Sequence, residues 1–86
     1  MIDLYHRTTP ESAELIMRER RMISRENSGE VYFSTERNGQ ATGYGESVVH
    51  VRIPLHLAEL DDEFPSGELH YRVDVRRLRP DHFIID

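Results

Sequence analysis

Five histidines, sixteen carboxylates and eleven basic residues, every one of them arginine, carry most of the chemistry open to this chain. Cysteine is absent, which removes disulfides, thiolate nucleophiles and cysteine-ligated zinc. His6, His50, His56, His70 and His82 form no His-Glu-x-x-His motif and no i, i+4 helical pair, so their spacing gives no metal site. Gly39, Gly43 and Gly45 are followed by no lysine and no long helix, which excludes a phosphate-binding loop of the nucleoside-triphosphate type. No serine sits in a glycine-flanked elbow of the kind that presents a nucleophile. Two arginine clusters remain. Arg18, Arg20, Arg21 and Arg25 lie at a helix end, where positive charge complements the helix dipole. Arg72, Arg76, Arg77 and Arg79 form a second patch with the chemistry to recognise phosphate.

The elements that must position these groups follow from length and pattern. At 86 residues and 10.1 kDa, the chain forms one domain spanning residues 1–86, since so short a chain buries only about 60% of its unfolded surface. Hydrophobic residues at 37% against 31% charged residues describe a folded globule rather than a disordered chain. The net charge of -5 argues against binding nucleic acid over the whole surface. The apolar runs are far shorter than the ~20 residues that cross a bilayer, and Asp3, His6 and Arg7 break any signal-peptide pattern, so a cytoplasmic location without membrane attachment is expected. Alternation predicts strands over Ile2 to His6, Glu30 to Ser34, Ser47 to Ile53, His70 to Val75 and Phe83 to Ile85. Thr8-Thr9-Pro10-Glu11 starts a helix running to about Arg21, with Ala13, Ile16, Met17 and Arg20 on its packed face. Ser24 to Gly29 reads as a polar loop, and Asn38 to Gly45 holds one helical turn at most. Leu55 to Leu60 reads as a short helical turn, Asp61-Asp62-Glu63 as an acidic loop and Pro65-Ser66-Gly67 as a turn. The fold class is α+β.

Three segments in order then stand out: Leu4-Tyr5-His6-Arg7-Thr8, Gly29-Glu30-Val31-Tyr32-Phe33-Ser34 and Ala41-Thr42-Gly43-Tyr44-Gly45. With His70-Tyr71-Arg72-Val73-Asp74 and Arg79-Pro80-Asp81-His82-Phe83, the chain resembles ADP-ribosyltransferases of the diphtheria-toxin and poly(ADP-ribose) polymerase type. That family has a strand carrying His-Gly-Ser/Thr, a helix, a Gly-x-Tyr-Phe strand, a short helix ending in Ala-x-Tyr, a late Glu-Tyr strand and a final strand after proline. The resemblance implies a compact single domain with one main helix and short antiparallel strands in two small sheets around an NAD cleft. The function it implies is transfer of ADP-ribose from NAD to a protein or nucleic-acid acceptor, or to water, by a small bacterial, toxin-like protein. The alternative is a catalytically degenerate module of the same fold that binds NAD, ADP-ribose or a partner such as an immunity or antitoxin protein.

Residue by residue, the resemblance makes His6 the ribose-orienting group, with Arg7 and Thr8 beside it. Tyr32 and Tyr44 hold the nicotinamide ring, and Ser34 donates to phosphate or ribose. His6, Tyr32 and Glu68 are thus the catalytic set, with NAD as substrate and no metal. The third position stays open among three residues. Direct matching puts His70 where the family has glutamate, while Glu68, two residues earlier, and Asp74 share its strand face. Arg7 stands where the family has glycine, and Ala41 stands where it has serine.

Overall fold

A computed structural model describes residues 1–23 and 29–85; the expected loop at 24–28 lies outside the described residues. The described residues fold as an α+β domain with one α-helix and six antiparallel strands in a single sheet of order β4-β5-β2-β1-β3-β6. The strands are β1 (Ile2–Thr8), β2 (Glu30–Ser34), β3 (Ser47–Ile53), β4 (Ala58–Glu63), β5 (Leu69–Asp74) and β6 (Phe83–Ile84), and α1 covers Pro10–Glu19. The expectation of two small sheets is therefore corrected: hydrogen bonding is continuous across six strands. The junction at its centre is narrow, because β1 and β2 pair only at Tyr5 and Ser34, whereas β1 and β3 pair along their whole length, from Ile2 opposite Ile53 to Thr8 opposite Ser47.

Alternation sorts the side chains into two faces. Leu4, Phe33, Val49, Val51, Ile53, Val73 and Phe83 are buried together with Met22, and Ala13, Ile16 and Met17 of α1 pack against them. This apolar layer is the core, covered by the helix. The helix starts as Thr9-Pro10 suggests: Thr9 Oγ1 accepts from the Ser12 amide at 3.2 Å, and proline occupies the first turn. It stops at Glu19 instead of Arg21 because Arg20 turns left-handed at φ 56° and gives its N–H to the Ile16 carbonyl, closing the C-terminus.

The sixth strand, β4, replaces the expected helical turn and acidic loop; only Leu55–Leu57 forms a short 3₁₀ turn. Ala58–Glu63 has poor strand propensity, yet it pairs with β5 from Ala58 opposite Val73 to Glu63 opposite Leu69, with an irregularity at Leu60/Asp62. Arg72 of β5 lies against its carboxylates, reaching Glu59 at 2.8 Å and Asp61 at 3.0 Å, and Glu30 of β2 at 3.5 Å. A charged edge strand of this kind also resists pairing with other sheets. The hairpin turn between β4 and β5 is closed by the Gly67 N–H on the Phe64 carbonyl, with Gly67 at φ 97°, a conformation glycine adopts without cost. No helix of the described residues is long and apolar enough to cross a membrane.

Candidate functional site

The site lies where β1 and β2 part. Beyond the Tyr5–Ser34 pair the ladder stops, and Arg7 and Thr8 face Val31 and Tyr32 across a cavity of about 950 Å³. Leu15 and Ile16 of α1 wall one side, and Tyr44, from the 3₁₀ turn Gln40–Tyr44, walls another. An aromatic rim marks the opening: Tyr32 is 48% exposed and Tyr44 is 78% exposed, with Leu15 and Ile23 also open to solvent. Exposed apolar groups gathered on one concave surface mark a place where an apolar or planar ligand can be covered.

His6 bridges the parted strands. Its Nδ1–H donates to the Tyr32 carbonyl at 2.9 Å, and since a carbonyl can only accept, Nε2 is left as an acceptor in the neutral ring. Burial pushes the His6 pKa below its ordinary 6.5, outweighing the opposing effect of the Tyr32 carbonyl. By register His6 shares the core face of β1 with Leu4, whereas Tyr32 alternates with the buried Val31 and Phe33. Both nonetheless line the one cavity because it opens through the gap between their strands.

On β5, His70 lines the cavity with Glu68 behind it. Glu68 is 3% exposed and is not among the lining residues. Its Oε2 accepts from His70 Nε2 at 2.7 Å and from Ser34 Oγ at 2.6 Å, and its Oε1 accepts from the Gln40 amide at 2.9 Å. Burial works against ionisation of this carboxyl, but the Ser34, Gln40 and His70 donors outweigh it and hold the pKa below the ordinary 4.5. The close approach needs Gly39, since a Cβ there would fall 2.2 Å from Glu68 Oε1. Glu68 thus ties β2, β5 and the 3₁₀ turn together under the cavity floor.

The remaining expected residues divide cleanly. Thr8, Ser34 and Tyr44 line the cavity, and Ser34 spends its hydroxyl proton on Glu68. Arg7 lines it too, but all of its guanidinium N–H groups are directed at the loop before β3. Nε and Nη2 donate to the Arg37 carbonyl, Nη2 also donates to Asn38 Oδ1, and Nη1 donates to the Gly45 and Glu46 carbonyls. Its side chain anchors the segment that carries Tyr44. Asp74 stands away from the cavity and caps the 3₁₀ turn Val75–Arg77. Hydrogen bonds from the Arg76 side chain and amide lower its carboxyl to about 2. In the C-terminal arginine patch, Arg72 is enclosed by carboxylates and Arg76 is paired with Asp74.

Sequence reasoning missed Gln40, Gly39 and Phe64, whose ring meets His70 edge-on at 4.6 Å. Only Gly39 left a trace, as one of the three glycines between β2 and β3. Among the described residues no group of three or more histidines and carboxylates is placed to hold a metal ion. No protein-family model, no curated protein and no solved structure matches the chain.

Gly45 supplies a test of how the tyrosine is positioned. A Cβ at Gly45 would fall 2.2 Å from the Thr8 carbonyl oxygen, a backbone atom with little freedom to yield, whereas one at Gly43 meets nothing within 4 Å. Gly45→Ala is expected to cost about 1–3 kcal/mol as the loop is pushed off β1, and Gly43→Ala to stay within about 0.5 kcal/mol of the parent. Urea denaturation of the two variants checks this.

Proposed function

We propose that the cavity binds NAD by its nicotinamide–ribose end and that the protein transfers ADP-ribose to an acceptor. The observation that carries this reading is the convergence of two tyrosine rings and two histidines on one cavity at the parting of β1 and β2. The same residues hold the matching places in the family the sequence resembles. In this reading the NAD cleft lies between the β4-β5-β2 and β1-β3-β6 halves of the sheet.

Each side chain has a physical task. The nicotinamide ring of NAD is flat and cationic, and the faces of Tyr32 and Tyr44 attract a cation held against them. His6, kept neutral at pH 7 by burial, offers Nε2 as an acceptor for a ribose hydroxyl and so fixes the sugar. Orientation of this kind is worth orders of magnitude in rate, since a displacement of about 1 Å costs ~100-fold. As the glycosidic bond to nicotinamide lengthens, positive charge passes from the ring to the sugar, where nearby lone pairs and carboxylates favour it.

A second reading keeps the fold and the binding but not the turnover: a module that holds NAD or ADP-ribose. It is favoured by Glu68, whose carboxylate is covered and already accepts from three donors.

Thermal unfolding with NAD tests both. Ligand at 100 times its dissociation constant stabilises the fold by about 2.7 kcal/mol, which in so small a domain raises Tm by about 10 °C or more. Tyr32→Ala is expected to abolish most of that shift without lowering the unliganded Tm by more than a few degrees, because the ring is half exposed. Nicotinamide release followed by chromatography separates the readings: release establishes transfer or hydrolysis, and saturable binding without release establishes the module. No shift with millimolar NAD or ADP-ribose overturns both.

A further inference from the structure

His70 is the group of the cavity best placed to move a proton. Its Nε2 donates to Glu68 Oε2 at 2.7 Å, and a carboxylate can only accept, so Nε2 carries the hydrogen and Nδ1 is the basic nitrogen. Nδ1 has no partner among the described residues. No buried side-chain nitrogen or oxygen lacks a partner there, so Nδ1 is reached by solvent, and His70 lines the cavity. Ser34 and the Gln40 amide fix the Glu68 carboxylate from the other side, and the Phe64 ring flanks the imidazole. A buried carboxylate that orients an imidazole, whose second nitrogen stays open to solvent on a residue lining a cavity, is the arrangement that makes a histidine a general base.

We propose that His70 is the general base of the transfer reaction, with Glu68 its positioning residue, and that the acceptor is accordingly a neutral hydroxyl, water or an aliphatic alcohol. The inference rests on the NAD-transfer reading above and names the acceptor for it. A carboxylate acceptor is already ionised at neutral pH and needs no base, and a guanidinium, a donor without an acceptor site, has no free lone pair with which to attack until it has lost a proton, whereas a neutral hydroxyl oxygen attacks with a lone pair it already holds. A hydroxyl gives up its proton as it attacks, which is where an imidazole contributes about 10²–10⁴-fold. The atoms balance. The bond from ribose C1′ to the nicotinamide nitrogen breaks, and its electron pair neutralises the ring. The acceptor oxygen bonds to C1′, its proton passes to His70 Nδ1, and Glu68 stabilises the imidazolium until the proton leaves to solvent.

The titratable and charged groups around His70 are Glu68 just before its strand, Arg72 on that strand, Asp62 opposite it on β4, and Tyr32 on β2 and Tyr5 on β1, both lining the same cavity. Ser34 pairs with it in register on β2, and Tyr5 pairs in turn with Ser34.

The experiment compares wild type, His70→Gln and Glu68→Gln for NAD binding by thermal shift and for nicotinamide release with water, methanol or azide as acceptor. His70→Gln keeps an N–H for Glu68 but takes no proton. The expected result is a methyl ADP-ribose product from the wild type in methanol. In His70→Gln, NAD binding stays within about threefold, while release to water and methanol falls at least ~100-fold. Azide, which arrives without a proton to lose, restores that variant to within about tenfold of wild type. In Glu68→Gln, where the charge that stabilises the imidazolium is gone, release to water and methanol also falls, and azide again restores it. A folded His70→Gln that releases nicotinamide at the wild-type rate, or that binds NAD without azide rescue, overturns the base assignment and leaves the transfer reading standing. A wild type that binds NAD but releases no nicotinamide in any acceptor overturns both.

Discussion

Glu68→Ala is expected to lower the unfolding free energy by about 3–5 kcal/mol, the cost of breaking a buried charged network by removing one partner. The Ser34 hydroxyl, the Gln40 amide and His70 Nε2 all donate to this one carboxylate, and a buried donor left without an acceptor costs about 1–3 kcal/mol. Against a total stability of about 4–13 kcal/mol for a chain of 86 residues, such a loss lowers Tm by about 12 °C or more. The same carboxylate makes the parent acid-sensitive. Its folded pKa lies below the ordinary 4.5, so its contribution is complete above about pH 4.5 and is lost as the pH falls through the folded value. Asp3 adds to this in the same direction, its carboxyl lowered by hydrogen bonds from His50 and Arg52. Urea denaturation at pH 7 and at pH 3.5 checks the prediction: the gap between parent and Glu68→Ala should be large at pH 7 and narrow in acid.

His6→Ala is expected to reduce nicotinamide release about 100-fold while lowering Tm by only a few degrees. The fold loses one hydrogen bond, from Nδ1 to the Tyr32 carbonyl, worth about 1 kcal/mol. That carbonyl sits at the cavity, where water can take the place of the imidazole. The reaction loses more, because under the proposed function Nε2 is the acceptor that fixes the ribose, and misplacement of a reacting group costs ~100-fold. With a folded pKa below 6.5, His6 stays neutral at pH 7 and keeps its acceptor until the pH falls through that lower value. In the same range the folded state is penalised, since the unfolded chain takes up the proton first. Nicotinamide release by folded His6→Ala at the parent rate would remove His6 from the site.

Where side-chain pattern alone decides structure, the chain could be read directly. The Glu30–Ser34 and Ser47–Ile53 strands have the expected bounds, because β-branched and aromatic residues alternate there with nothing to compete. The helix start was legible in Thr9-Pro10, whereas its end was not: Arg20, a good helix former, adopts the left-handed cap. β4 was hidden for a different reason. Six residues that include four carboxylates carry no strand signal of their own, and only the pairing with β5 and the reach of Arg72 across it make them a strand.

The site divides along the same line. Sequence by itself determined which residue types were available: two tyrosines, the histidines, a glutamate two places before His70, and no cysteine. It left three residues open for the third position, since Glu68, His70 and Asp74 share a strand face and the sequence does not set the register that would bring one of them to the site. The tertiary structure decided their surroundings. It buries Glu68 under the floor, turns His70 to the cavity and ties Asp74 to Arg76. It also joins His6 and Tyr32 in one cavity, although strand alternation alone puts them on opposite faces. The physical reason is that the cavity is made where the pairing of β1 and β2 stops beyond Tyr5 and Ser34, a relation between segments some 25 residues apart that no local pattern records.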